Sequence, residues 1–322
     1  MGYLVMNIIE IILSPLIAFV IGIFFLGLSR RIMARLHWRY GPPIIQPIID
    51  IIKLFSQKSI SHGKIFNLGI ILSLAGSIAV TLFLPLGQMC PLSSSGGLLV
   101  ILYVMFLGPL GIALSGGEAA NPNTSIGISR KLILVLGYEV PLLLILLAVM
   151  THYRTISIVE IVAIQQDIGW SFASLPLLLS GIAYLFILPA VLGIRPFDFV
   201  GAPQEISSGP MVEYSGQYLA MTTIQHAFSL FIGIALFVNL FLGGGDVFIP
   251  LENLLSSAGL GWIASFLTGL AFFLKMLVVF VICLFINAVF PRLRIEQAVR
   301  YLWRWPTLFA FAGLIIVLVI GR

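Results

Sequence analysis

Glu139 and Lys275 are ionisable residues inside long apolar runs: Glu139 within Gly137-Tyr138-Glu139-Val140-Pro141, and Lys275 between Phe273 and Val279. A charge at mid-membrane depth costs roughly 2.5–3.5 kcal/mol on insertion scales, so both are read first as functional. A carboxyl there can hold or pass a proton. Pro141 has no N–H to offer the carbonyl of Gly137, which leaves an acceptor beside Glu139 that suits water or a proton. A lysine so surrounded must find a carboxylate, reach water or lose its proton. A third group lies in 195–216, where Asp198, Glu205 and Glu213 are separated by apolar residues. Such a line of carboxyls can pass protons or bind cations; the plainer alternative is a solvated loop. Glu10, near the end of the first apolar run, is read as structural.

The rest of the polar inventory offers no catalytic constellation. His37, His62, His152 and His226 have no metal-ligand spacing. No Gly-rich phosphate loop and no paired nucleophile and base occurs. Cys90 and Cys283 form no CxxC and no four-thiolate set, and are read as small buried apolar residues. Redox or hydrolytic chemistry must therefore come from partner chains.

The elements that must position these groups follow from composition. Of 322 residues, 60% are hydrophobic and 9% charged, and the mean hydropathy is +1.14. This excludes a soluble enzyme, a disordered chain and a nucleic-acid-binding domain. A bilayer core needs about 20 mostly apolar residues per helix, because the backbone finds no water there. Eight such stretches lie near 6–28, 66–86, 98–116, 131–150, 173–193, 220–243, 262–290 and 305–321. The prediction is an all-α, polytopic membrane protein forming one integral-membrane domain over 1–322, in the cell membrane. The first stretch is too long for a signal peptide, lacks a small-residue cleavage site and is read as retained.

Net charge is +5, and its distribution sets the orientation. Arg30, Arg31, Arg35, Arg39, Lys53, Lys58 and Lys64 precede the second stretch. Arg130 and Lys131, then Arg195, then Arg292, Arg294, Arg300 and Arg304 occupy alternate later connections. Those four connections should face the cytoplasm and both termini the outside. After Gly41-Pro42-Pro43, the run 44–55 is too short to span. Gln46, Asp50 and Lys53 give it a polar stripe, so it reads as an interfacial helix or one packed between spans.

Four ordered blocks carry a family resemblance: Arg30-Arg31 … Arg39-Tyr40-Gly41-Pro42-Pro43 … Gln46-Pro47 … Asp50 … Lys53; Ile126-Gly127 … Arg130 … Tyr138-Glu139-Val140-Pro141; Pro196-Phe197-Asp198 … Glu205 … Glu213-Tyr214-Ser215-Gly216; and Lys275 followed by Pro291-Arg292-Leu293-Arg294 … Gln297 and Trp303. Together they resemble the H-type membrane subunit of proton-pumping NADH:quinone oxidoreductase (complex I) and its counterparts in membrane-bound energy-converting [NiFe] hydrogenases and sulfane reductases. The compact Gly41-Pro42-Pro43-Ile44-Ile45-Gln46-Pro47 is similar to the hydrogenase-type subunits, whereas Pro196-Phe197-Asp198 looks more like complex I; the hydrogenase and sulfane-reductase branch is favoured.

The resemblance implies a non-catalytic subunit that couples electron transfer in a docked arm to proton or sodium translocation. It implies no cofactor in this chain. Its implied partners are an iron–sulfur small subunit, a hydrogenase-like large subunit that can carry a nickel–iron centre, antiporter-like membrane subunits and the lipid bilayer, with no nucleic acid. Glu139, Glu205, Glu213, Asp198, Lys275 and Arg130 would belong to the proton path. Arg30, Arg31, Arg35, Arg39, Asp50, Lys53, Arg292 and Arg294 would dock the arm. The family's Pro-Glu-Ala-Glu stands here as Val200-Gly201-Ala202-Pro203, an acidic residue before the first Arg pair as Ser29, and an arginine late in the seventh span as Asn287. With two carboxyls missing, a shorter or rerouted path is expected. The alternatives are the quinone-chamber subunit of NADH:quinone oxidoreductase and, from another class, an independent secondary transporter.

Overall fold

The computed structural model describes residues 2–87, 89–92, 97–119, 121–245 and 261–320. Gly321, the end of the eighth expected stretch, and Arg322 lie outside the described residues. The elements in order are α1 (Gly2–Leu36), α2 (Gln46–Phe55), α3 (Lys64–Phe83), α4 (Leu98–Gly117), α5 (Pro122–Tyr153), α6 (Ile158–Ile168), α7 (Leu175–Leu192), α8 (Pro203–Ile206), α9 (Gln217–Phe241), α10 (Gly261–Val289) and α11 (Ile295–Ile320). Among the described residues, eight of these (α1, α3, α4, α5, α7, α9, α10 and α11) are long and apolar enough to cross a membrane.

Helices outrun their apolar stretches where polar residues continue them beyond the oil. α5 begins at Pro122, because Asn121 caps it by accepting from the Asn123 N–H at 3.0 Å and Pro122 pre-sets the first turn. Arg130 and Lys131 therefore stand two turns inside a helix, at the point where its apolar stretch begins.

α9 is the central helix, with 78% of its most apolar window buried within the chain, against 28% for α11. α9 packs on α1, α3, α7 and α2, while α11 packs on α5 and α7. Between helices in lipid no hydrophobic drive operates, so small residues that permit close approach decide the packing. The most extensive helix pairing is α3 against α4. A Cβ on Gly111 would lie 2.5 Å from the Gly69 carbonyl oxygen and 2.5 Å from the Ser73 nitrogen. Beside it the Ser73 hydroxyl donates to the Gly108 carbonyl at 2.8 Å. At the α1–α9 crossing, a Cβ on Gly22 would meet the Ala227 carbonyl oxygen at 2.3 Å.

α2 is amphipathic. Pro47 and Ile51 are buried against α1 and α9, and Ile48, Ile49, Ile52 and Phe55 are exposed. Its polar stripe faces α1: Arg30 donates to Asp50 Oδ2 at 2.8 Å and Gln46 to Asp50 Oδ1 at 2.9 Å.

Candidate functional site

The segment 194–216, itself one of the four basic connections, is bonded to the other three at one end of the bundle. Arg292 donates to Asp198 at 3.0 Å, and the Leu293 N–H to the Pro196 carbonyl at 2.9 Å. Arg130 of α5 donates to Glu205 at 2.7 Å and to the Phe199 carbonyl at 3.3 Å. Glu213 accepts from Asn121 at 2.8 Å and pairs with His62 Nε2 at 3.1 Å. The Ile60 N–H donates to the Ser215 hydroxyl at 3.0 Å. Near its middle, Ser207, Ser208 and Gly209 take positive φ values of 49°, 71° and 55°. Non-glycine residues adopt that region at a cost of about 1–2 kcal/mol each. The bend sets Pro210 against α5, where a Cβ on Gly127 would meet Pro210 Cδ at 2.5 Å.

The three loop carboxyls thus differ. Glu205 is 54% exposed and Asp198 40%, whereas Glu213 is 15% exposed and holds two partners. Glu139 lies elsewhere: it is half-buried on α5 and lines a void of about 10 Å³ with Leu102, Met105 and Phe106 of α4.

Two larger cavities open beneath the segment. The inner one, about 390 Å³, is walled by α3, α4, α5, α7 and α9 and by the segment itself; its polar lining includes Ser77, Lys131, Tyr138, Asp198, Gln225 and His226. The outer one, about 550 Å³, lies between the end of α1, the start of the segment and α10, with His37, Arg39, Arg195 and Asn287 on its walls. Gly193, Asp198 and His226 line both. Tyr138 and Met105 line both the inner cavity and the void at Glu139. Three voids therefore follow one another from the basic end of the bundle to Glu139.

A family model for NADH dehydrogenase matches residues 9–318. The chain belongs to that family. It is 32% identical to Hydrogenase-4 component C of Escherichia coli (strain K12) over 253 residues, 76% of this chain and 77% of the relative. It is 28% identical to the H-type subunit of NADH-quinone oxidoreductase from Phocaeicola vulgatus over 315 residues, 94% and 87% of the two chains. Among solved structures, it matches a chain of the membrane-bound sulfane sulfur reductase, an archaeal respiratory membrane complex. That match has a TM-score of 0.88 and 39% identity, covering 96% of this chain and 98% of the other. This NADH dehydrogenase family member is a multi-pass protein of the cell membrane.

The positions at which this member departs from the resemblance have local roles. Asn287 accepts from the Arg195 N–H at 3.2 Å, and the Ser29 hydroxyl donates to the Leu26 carbonyl at 2.8 Å. Gly201, where the resemblance leads one to expect part of an acidic motif, lines the inner cavity. Lys275 of α10 donates to the carbonyls of Leu242 at 2.7 Å and Gly244 at 2.9 Å, and stands 5.2 Å from the Trp170 ring. It sits at the far end of α9, away from the segment. No group of three or more His, Cys, Asp or Glu able to hold a metal ion occurs among the described residues.

Of the residues expected to dock an arm, Arg30 and Arg292 are engaged with Asp50 and Asp198, and Arg35 lies 5.1 Å over the Tyr40 ring. Arg31, Arg39, Lys53 and Arg294 are exposed. The Arg30 guanidinium beside Asp50 holds that carboxyl below its usual range, with the Gln46 hydrogen bond adding to the effect. Sequence reasoning missed His226, Lys131 and Gln225 as a set. Thr222, Gln225, His226 and Ser229 recur at helical spacing on α9, a polar stripe in an apolar helix.

Proposed function

We propose that this chain is the membrane subunit of a complex-I-related redox complex, of the hydrogenase or sulfane-reductase type. It anchors a soluble iron–sulfur arm and begins the ion path that electron transfer drives. The observation that carries this reading is the match, over nearly the whole of both chains, to a subunit of an archaeal respiratory complex. The branch preference rests on identities of 39% and 32% to the sulfane-reductase and hydrogenase relatives, against 28% to the quinone-oxidoreductase relative.

The arm rests on the basic end of the bundle. Trp38 is 98% exposed and Tyr40 94%, beside Arg35 and Arg39. Exposed Trp, Tyr and Arg together are the residues that most often anchor protein interfaces. Electron transfer in that arm changes a charge close to 194–216. In a site of low dielectric, such a change shifts the proton affinity of a nearby carboxyl, and one pKa unit corresponds to about 1.4 kcal/mol. Glu139, shielded at the end of the chain of voids, is the carboxyl best placed to respond.

The test is purification of the complex through a tag on this chain, with its partners identified by mass spectrometry. A cluster-bearing small subunit, a hydrogenase-like large subunit and antiporter-like subunits are expected; a chain that purifies alone and transports a solute by itself overturns the reading. In the assembled complex, Glu139→Gln should lower ion translocation more than Glu205→Gln, because Glu205 is solvent-exposed. The nearly full-length match to a membrane subunit of NADH-quinone oxidoreductase supports a second reading, a quinone chamber, and quinone-dependent turnover of the purified complex would decide for it.

A further inference from the structure

We infer that Lys131 and His226 are the proton-exchanging pair that links the outer cavity to Glu139. This rests on the function proposed above and supplies residues for the path that the absent carboxyls at 201–203 leave open.

His226 lines both the outer cavity and the inner one. Lys131 lines the inner cavity, and so does Tyr138, which also lines the void at Glu139. Neither Lys131 nor His226 makes a hydrogen bond or ion pair among the described residues, although both are half-buried. The buried polar groups of a native protein are almost always satisfied, and these two face a cavity that water can fill. Gln225 and Ser77 edge the same cavity, with the Gln225 amide donating to the Ser77 hydroxyl at 3.4 Å.

The charged and titratable groups around the pair come from several elements. Lys131 of α5 and His226 of α9 line the same cavity. His37 and Arg39 follow α1, and Arg195 and Asp198 lie in the segment. Tyr138 is one α5 position ahead of Glu139, and α10 contributes Asn287, which does not titrate. Asp198 is neutralised by Arg292. Hence, among the described residues, the Lys131 amine, the His226 imidazole and the Glu139 carboxyl are the basic and carboxylic groups lining the inner cavity and the void at Glu139 that are held in no ion pair.

One ring nitrogen of His226 takes a proton from water in the outer cavity, and the other ring nitrogen releases one to water in the inner cavity. Lys131 accepts that proton as an amine and returns it as an ammonium. The Glu139 carboxylate receives it through water and becomes the acid.

The experiment uses the complex purified through this chain and reconstituted in liposomes, with redox turnover and ion translocation read separately. Lys131→Arg keeps a positive charge but cannot release a proton. Lys131→Arg and His226→Gln should each lower translocation per turnover by about tenfold or more, with redox turnover retained. In His226→Ala, added imidazole should restore translocation. Wild-type translocation in both Lys131→Arg and His226→Gln overturns the inference. A wild-type complex that turns over without moving ions overturns instead the function it rests on. Independently of any variant, deuterium exchange at the imidazole C2 of His226 in the wild-type complex, located by mass spectrometry, should proceed as for a histidine that water reaches; no exchange shows that water does not reach it and overturns the inference.

Discussion

Glu213 is the side chain on which three connections converge, and its removal gives a measurable consequence. It accepts from Asn121, the residue that caps α5, and pairs with His62, which precedes α3. A hydrogen bond to a charged acceptor is worth about 1.5–3 kcal/mol. The His62 side chain is 32% exposed, so that pair adds only about 0–1 kcal/mol. Glu213→Ala should therefore cost about 1.5–4 kcal/mol. For a chain of 322 residues, with an unfolding entropy of about 2.1 cal/mol/K per residue, that is a fall of about 2–6 °C in apparent Tm. Glu213→Gln keeps an acceptor for Asn121 and should lose about half as much. The assay is thermal unfolding of the detergent-solubilised chain, followed by intrinsic tryptophan fluorescence. A double-mutant cycle with Asn121→Ala isolates the shared term. If Glu213→Ala melts with the wild type, or if the Glu213 and Asn121 losses add with no coupling, the junction does not exist as described.

Two further outcomes follow from the packing and from a surface carboxyl with a shifted affinity. Gly111→Ala should force α3 and α4 apart, because the new methyl would meet backbone at 2.5 Å. A cost of about 1–3 kcal/mol should appear as a lower apparent Tm and a lower folded yield. Gly117→Ala on the same helix, with nothing within 4 Å of its Cβ, is the control that should behave as wild type. Asp50 has its proton affinity lowered in the fold, first by the Arg30 hydrogen bond. Its contribution to holding α2 is thus complete above the ordinary carboxyl range, near pH 4, and is lost as pH falls through the lower folded value. Both side chains are more than a third exposed, which limits the effect to less than about 1 kcal/mol. Pepsin cleavage within 44–57 should rise at the acid end in the wild type and be independent of that titration in Asp50→Asn.

The eight spans were legible because a helix in oil leaves a long apolar signature, and the alternation of Lys and Arg gave the connections a common side. The amphipathic α2 was legible from Gln46, Asp50 and Lys53. The fate of the ionisable residues was less so. Lys131 reads as a basic residue at the edge of a span until the Asn121 cap starts α5 nine residues before its apolar stretch and sets it two turns inside the helix. His226 reads as a scattered histidine until α9 brings it to the lining of two cavities. Three carboxyls close together in sequence, Asp198, Glu205 and Glu213, are drawn by Arg292, Arg130, Asn121 and His62 to three separate neighbours. Ion pairing between distant parts of the chain sets those partnerships, and hydropathy carries no trace of them.

The turn at Ser207, Ser208 and Gly209 has a mechanical meaning. Its backbone is bent into a costly conformation while both flanks are clamped, by Arg130 on one side and by Asn121 and His62 on the other. A bend under load that is pinned at its ends has few ways to give. A push arriving from a body seated above it would be delivered into α5 beneath, through Pro210 against Gly127, on the helix that carries both Lys131 and Glu139.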